Sequence, residues 1–285
     1  MFGKRSDGKE LKKVDAEFRL IPNFMIDRND AQVFFNQDVP ITEMNKYIDK
    51  KSEEGVKLTL LDIVFAAIVR IIAEKPKLNR FANNGRTYAR NDITLCMTIK
   101  KSMGEDAEES NLKIYFTGTE NLFEVRDKLQ KAIADNKGEA ESSSTDKTAD
   151  ALSKIPTGLL KVVMKFIRFL DKHNHLPKFL IKVSPFHTSA FVTNVGSLGI
   201  DSIYHHLYNF GTTSMFFAIG KKKKSYVFED EEIKQERCVN LAFVGDERIC
   251  DGYYYARAFR DLCKYLKNPE LLEVGAPERV KDNQL

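Results

Sequence analysis

The stretch from Leu60 to Ala73 restricts the fold more than any other part of the chain. Leu60, Leu61, Ile63, Val64, Phe65, Ile68, Val69, Ile71 and Ile72 fall on every side of a 3.6-residue repeat. A helix that is apolar all round must be enclosed by other elements. Thr59 is placed to cap it, with Asp62 three residues on as the capping-box partner, and Pro76 stops it. Asp62 and Arg70 interrupt the run, so it falls short of the ~18 uninterrupted apolar residues of a membrane span. The expectation is a helix at the centre of a soluble domain.

A chain of 285 residues can bury such a helix by itself. At ~150 residues per domain it holds one large domain or two small ones. Hydrophobic residues make up 42% and charged residues 30%, which excludes disorder over the whole length. The balance of 45 basic and 41 acidic residues, a net +4, is too mild to imply a nucleic-acid partner. Cys96, Cys238, Cys250 and Cys263 are dispersed and form no C-x-x-C pair. They fit small core residues in a reducing compartment. The start of the chain, MFGKRSDGKELKKVD, has no apolar run of the secretory kind. A cytoplasmic protein is the expectation.

Strand character is read at Ala31–Asp38, before Pro40, and a helix at Ile41–Glu54. Asn83-Asn84-Gly85 reads as a hairpin turn. Strands follow at Thr87–Ala89, Ile93–Lys100 and Leu112–Thr117, with an acidic loop at Gly104–Glu109. Asn121–Asn136 is amphipathic and helical. Residues 138–150 are low in complexity. Strands are expected again at Ser189–Val195, Ser214–Ile219 and Asn240–Val244, and a last helix at Tyr254–Lys267. This mixed order predicts an α/β (α+β two-layer) domain, a mixed sheet with helices on one face. The division expected is a polar arm over residues 1–18, one domain over 19–273 with a helical insertion at about 150–183, and a polar tail over 274–285.

The chain has no dinucleotide fingerprint, P-loop, H-E-x-x-H, EF-hand loop or G-x-S-x-G. Gly220-Lys221-Lys222-Lys223-Lys224-Ser225 lacks the second glycine of a P-loop. The histidines are His173, His175, His187, His205 and His206. His173 and His175 sit near a helix end, where the dipole favours cations, and no metal site is expected. His205 and His206 read as a packing pair in a loop, or as a base or substrate contact.

Two passages carry a resemblance. Thr59–Thr98 joins the buried helix to a Lys-Pro-x-Leu-Asn-Arg-Phe turn, an Asn-Gly hairpin and an Arg-Asn-Asp strand start. Ala218–Leu271 contains Ala-Ile-Gly-Lys, a charged hairpin, a strand, and Asp246-Glu247-Arg248-Ile249-Cys250-Asp251-Gly252. A helix with Ala256, Phe259 and Leu262 on one face follows, and then Asn268-Pro269-Glu270. Over roughly residues 20–273 the chain resembles the catalytic core of the dihydrolipoyl acyltransferases of 2-oxoacid dehydrogenase complexes. It resembles chloramphenicol acetyltransferase equally, which shares that fold. Phe191–Gly196 is similar to the family strand that ends in Ser-Asn-x-Gly.

The resemblance implies a homotrimer with a channel between subunits. Coenzyme A or an acyl-CoA enters as co-substrate from one side and a small-molecule acyl acceptor, of unread identity, from the other. A histidine in H-x-x-x-D-G acts as base, and a hydroxyl of the neighbouring subunit stabilises the oxyanion. That histidine position is Glu247 here. Asp251 and Gly252 match, the hydroxyl maps onto Thr193, and Lys221 matches a Gly-Lys near the coenzyme. The motif aspartate pairs with an arginine in the family, for which Arg28 and, less well placed, Arg19 are the candidates. No lipoyl domain is seen before the core, so a stand-alone protein is expected.

Three readings follow. Glu247, or a displaced His205 or His206, is the base of a CoA-dependent acyltransferase. Alternatively the fold is a non-catalytic trimer, a pseudoenzyme that binds an acyl-CoA or a partner protein. In the third reading Glu247 is a structural ion pair and the channel is closed. If Arg248 faces Glu247, it holds that carboxylate too acidic to be a base. Cys250 reads as a core filler, not a nucleophile. Lys221–Lys224 reads as a solvated hairpin tip, with Lys221 as a phosphate contact in the alternative. Residues 155–183 carry Lys161, Lys165, Arg168 and Lys172 on one helical face. They are expected to pack on the sheet or a neighbouring subunit, so membrane contact is not expected, although a basic amphipathic helix can also lie on a membrane.

Overall fold

The computed structural model describes residues 5–100, 109–137, 148, 150, 151, 153–229 and 232–285. The acidic loop expected at 104–109 lies outside them except for Glu109. So does most of the low-complexity stretch 138–150.

The enclosed helix forms as read. It runs Leu60–Glu74 (α3), and every residue from Asp62 to Ala73 is buried. The Thr59 amide donates to the Asp62 carboxylate at 2.8 Å, and the Asp62 amide donates back to Thr59 Oγ1 at 3.3 Å. Gln130 Nε2 donates to the second Asp62 oxygen at 2.9 Å, so the buried carboxylate is satisfied on both sides. Arg70 leaves the apolar core by reaching the Val274 carbonyl and Glu74.

Three further helices share this layer: α2 (Thr42–Glu53), α4 (Leu122–Lys137) and α7 (Gly252–Lys267). They pack on a six-stranded sheet of β2 (Gln32–Pro40), β5 (Ile93–Lys100), β6 (Glu109–Phe116), β7 (Ala190–Asn194), β8 (Met215–Glu229) and β9 (Glu232–Asp246). The spatial order is β2-β9-β8-β7-β5-β6. The β7 strand is parallel to both β8 and β5, and the other pairs are antiparallel. Side chains alternate along each strand. Leu95, Val192, Phe217 and Phe243 therefore join the helical core, while Cys96, Phe191, Phe216 and Val244 form a second, outer cluster. The helices cover one face and the fold is the expected mixed α/β layer.

Two segments are better held than a polar arm and tail would be. Gly8–Glu10 (β1) pairs with Arg86–Arg90 (β4), which pairs with Arg80–Asn83 (β3). Asn84 and Gly85 both take positive φ, 49° and 73°, as a two-residue hairpin turn needs. Leu11 and Val14 are buried against Ala89. The next segment, α1 (Ala16–Phe24), contains Pro22 and is absent from the sequence reading. At the other end Arg80 grips Asp282 at 2.5 and 2.8 Å in a buried pair, and the Val280 amide donates to Ala73. Composition describes both segments as polar, but their few buried partners lie far away in sequence. The strands expected at Ser214–Ile219 and Asn240–Val244 are the inner halves of two 15-residue strands, whose outer halves form a ribbon beyond the sheet.

Two outcomes follow from these contacts. Thr59→Ala should lower stability by about 1 kcal/mol, shifting Tm by roughly 2–4 °C; an unchanged thermal midpoint would remove the capping argument. Glu120 tests the electrostatics. Burial disfavours its charge, but Lys128 at 2.6 Å and the Thr117 and Gly118 amides outweigh this and hold its pKa at about 2. A depressed carboxylate stabilises the fold above its unfolded value of about 4.3, and that contribution is lost as pH falls through about 2. Urea unfolding of wild type and Glu120→Gln should therefore differ at pH 7 and converge in acid.

Candidate active site

The motif loop begins where β9 ends. Asp246 is fully buried and accepts from two guanidiniums. Arg248 donates to it through Nε and a terminal nitrogen, both at 2.8 Å, and Arg28 through Nε at 3.1 Å. Arg248 also donates to the Met25 and Ile26 carbonyls, and Arg28 to those of Tyr208 and Ala82. Burial, with Arg248 close by, pulls the Arg28 guanidinium below its ordinary value against the pull of Asp246. Arg28 was expected beside Asp251; its carboxylate in this chain is Asp246. Arg19 donates to the Lys12 and Val14 carbonyls instead.

Asp251 has a different task. Its carboxylate accepts from the Tyr254 amide at 2.7 Å and so caps α7. Gly252 opens that helix, and a Cβ there would meet nothing within 4 Å among the described residues. Cys250 is enclosed, and burial pushes its thiol up, as a core filler requires.

Glu247 follows the buried Asp246 and is half-exposed. Its amide donates to Ala31 at 2.8 Å. Arg248, which the sequence left free to face it or not, is turned away into the Asp246 cluster. Among the described residues no cation pairs with the Glu247 carboxylate.

Thr193 is near the other end of the sheet. Thr193 faces Ala218, and Ala218 faces Ala242, five residues before Glu247 on β9. Roughly 16 Å along the strand and about 10 Å across two strand spacings put Thr193 and Glu247 about 19 Å apart. One chain does not join them. Lys221 lies at the Thr193 end, within an irregularity of β8 between Ile219 and Lys222, and its amide donates to the Ile200 carbonyl at 2.8 Å. Of the four lysines, Lys223 is committed to Asp38 at 3.0 Å.

The residues from Ile200 to Asn209 run as a strap over the outer face of the sheet. At one end a Cβ on Gly196 would overlap the Gly220 carbonyl oxygen, and a Cβ on Gly220 would overlap the Ser202 amide. Backbone thus lies directly on backbone, and only glycine permits it. At the other end the Leu207 amide donates to Gln32 Oε1 at 2.7 Å and Tyr208 accepts from Arg28. Between these pins the His205 ring lies flat on Phe216, 4.1 Å between centroids and 6° between planes. Phe216 is across from Phe191, and Thr193 is the next residue on that face of β7. One strand spacing and two residues give about 8 Å between the Phe216 and Thr193 backbones.

His205 Nδ1 is 2.8 Å from the His206 carbonyl. A carbonyl only accepts, so Nδ1 carries the proton and Nε2 is left as the basic nitrogen. Burial lowers the pKa of this imidazole, keeping it neutral. His206 is turned outward beside it, its Nδ1 3.2 Å from the Leu207 carbonyl. Sequence reasoning had no means of ranking the two, because the stacking on Phe216 is a contact between distant positions. A cavity of about 480 Å³ opens beside the motif loop, lined among others by Ile26, Asp27, Arg28, Arg168, Phe210 and Arg248. Among the described residues no cluster of metal-ligating side chains occurs.

Residues 182–274 match the family of 2-oxoacid dehydrogenases acyltransferase (catalytic domain). No curated protein is similar in sequence. Solved structures are similar in fold. A probable dihydrolipoamide acetyltransferase of Listeria monocytogenes aligns with TM-score 0.58 at 15% identity, covering 91% of this chain and 94% of that one. The dihydrolipoamide acetyltransferase of Azotobacter vinelandii aligns with TM-score 0.57 at 14% identity, covering 92% and 94%. A chloramphenicol acetyltransferase aligns with TM-score 0.53 at 10% identity, covering 91% and 99%. The chain therefore has the chloramphenicol acetyltransferase-like fold, and the third of it that holds the motif loop matches the acyltransferase catalytic domain of the 2-oxoacid dehydrogenases.

Proposed function

We propose that this protein is a CoA-dependent acyltransferase that works as a homotrimer, with His205 as its general base. The observation that carries the reading is the tautomer of His205. A neutral imidazole with Nδ1–H engaged and Nε2 basic is the form a base needs near neutral pH. Glu247 is only partly buried in the protomer and lies about 19 Å from Thr193, so in one chain it is not placed to serve the same reacting atoms.

In the reaction His205 Nε2 takes the proton of the acceptor hydroxyl or thiol. The acceptor oxygen or sulfur bonds to the thioester carbon, and the Thr193 hydroxyl donates to the oxyanion that forms. The intermediate collapses as the C–S bond to the coenzyme breaks, and the imidazolium returns its proton to the departing thiolate. Lys221, at the Thr193 end, offers a point charge to a coenzyme phosphate. The distance between Thr193 and Glu247 supports a shared site in which the motif loop of one subunit approaches the Thr193 end of the next. The open space at Gly252 supports the same arrangement, since nothing among the described residues calls for glycine there. Asp246 and Arg248 hold that loop in shape and leave Glu247 without a cation. The four free, buried cysteines support a reducing, cytoplasmic setting.

The glutamate at the histidine position of the motif favours a second reading, a trimer that binds an acyl-CoA or a partner protein without turnover. Kinetics with an acyl-CoA and a set of thiol and alcohol acceptors separates the two. His205→Gln should lower kcat by about 10²–10⁴-fold, and Thr193→Ala by about 10²–10³-fold. A loss confined to Glu247→Gln would move the base to Glu247. Thermal stabilisation by acyl-CoA, about 2.7 kcal/mol at 100 times Kd, without turnover in wild type or in Glu247→His, would leave the binding protein. No stabilisation by any thioester would sink both. Sedimentation equilibrium should return three times the chain mass of 32.6 kDa.

A further inference from the structure

The helix Thr157–Lys172 (α5) presents most of its surface to solvent. Its sole buried residue is Asp171, in the last turn. There Arg5 holds the Asp171 carboxylate at 2.8 Å, His187 approaches it at 3.3 Å, and Asn83 donates to its carbonyl at 3.1 Å. The rest of the helix extends from this mooring. Sequence reasoning placed its apolar face against the sheet or a second subunit. The sheet does not cover it: in the protomer Leu159, Val162, Phe166 and Phe169 are 56%, 61%, 59% and 55% exposed.

At 100° per residue, the nine apolar side chains from Leu159 to Leu170 cover an arc of about 220°. Lys161, Lys165, Arg168 and Lys172 fill a narrow stripe of about 60° on the opposite side. Among the described residues none of these four cations has an ion-pair partner, and Asp171, the one carboxylate on the helix, is already neutralised by Arg5. The short helix Lys178–Val183 (α6) repeats the pattern with exposed Lys178, Phe179 and Lys182. The 480 Å³ cavity that Arg168 and Lys172 line is also lined by Ile26, which is exposed just beyond α1, and α1 itself exposes Leu20 and Phe24.

We propose that α5 docks on an anionic lipid surface, with Leu159, Val162, Phe166 and Phe169 inserted among the acyl chains and its four cations at the headgroups. Charge complementarity carries this occupant: the four cations have no ion-pair partner among the described residues, and lipid headgroups of opposite sign neutralise all four. A wide apolar arc with a narrow cationic edge is the geometry that lies in a bilayer interface, and long lysine and arginine stems bend back from the apolar layer to reach headgroups. The mooring at Asp171 sets the helix beside the cavity next to the motif loop, with Arg168 and Lys172 on the cavity side and the apolar arc facing away from it. The inference does not depend on turnover.

Co-sedimentation of the full chain with vesicles tests it. Binding is expected to equimolar phosphatidylglycerol and phosphatidylcholine, and to weaken with salt. Each neutralised cation should weaken binding about fivefold, so the triple variant Lys161→Gln, Lys165→Gln, Arg168→Gln should lose on the order of 100-fold. Phe166→Asp should also release the protein, with circular dichroism checking that both variants remain folded. No binding to the anionic vesicles at low salt would overturn the proposal, and so would binding that neither variant weakens. If wild type fails to bind and Phe166→Asp lowers its sedimentation coefficient, a second copy covers the helix and the lipid assignment is wrong.

Discussion

One buried carboxylate organises the end of the molecule where the motif loop lies. Asp246 draws in Arg28 from the N-terminal segment and Arg248 from the loop itself, and each guanidinium spends its remaining donors on carbonyls of other elements. A single anion thereby ties β9, the turn after α1, β3 and the strap together. A buried charge is tolerated only with such pairing, and removing one partner leaves the others uncompensated at roughly 3–5 kcal/mol. The arrangement is specific as well as strong, because two planar forks must share two oxygens. It also explains why Glu247, the next residue, keeps an unengaged carboxylate: its neighbour has taken both cations.

The rest of the fold follows from enclosing α3. That helix needs a sheet on one side and helices on the other, and the mixed sheet supplies the first. The sheet in turn has a second face, where among the described residues the short α6 is the only helix in contact, at the β6 edge through Lys113 and Tyr115. Here the strap from Ile200 to Asn209 supplies partial cover, and it brings an imidazole onto Phe216 close to Thr193. The candidate site is thus a product of incomplete burial: the face left open by the helical layer is the one on which His205 and Thr193 lie.

Much of this was legible from local signals. The capping box at Thr59 and Asp62, the Asn-Gly turn and the motif loop are each specified within a few residues, and each stands where it was read. The partner of Arg28 was not legible, because Asp246 and Asp251 are both acidic and lie five residues apart. Choosing between them requires the path of a segment 218 residues away in sequence. The strand at Gly8–Glu10 and the grip of Arg80 on Asp282 are contacts of the same distant kind. For α5 the amphipathic pattern was plain, but whether another element would cover the apolar face is a tertiary fact.

The strap also limits how this chain can vary in length. It is pinned at Ser202, against Gly220 and Asn240, and again at Leu207, against Gln32. Ser202 stands over Asn36 and Leu207 over Gln32, four residues of β2 apart, a span of about 13 Å. The five steps of strap between the pins reach at most about 17 Å. Deleting one residue would draw the segment taut, and inserting one would force a bulge at His205. Between Ser202 and Leu207 a single-codon insertion or deletion would therefore lift the imidazole from Phe216.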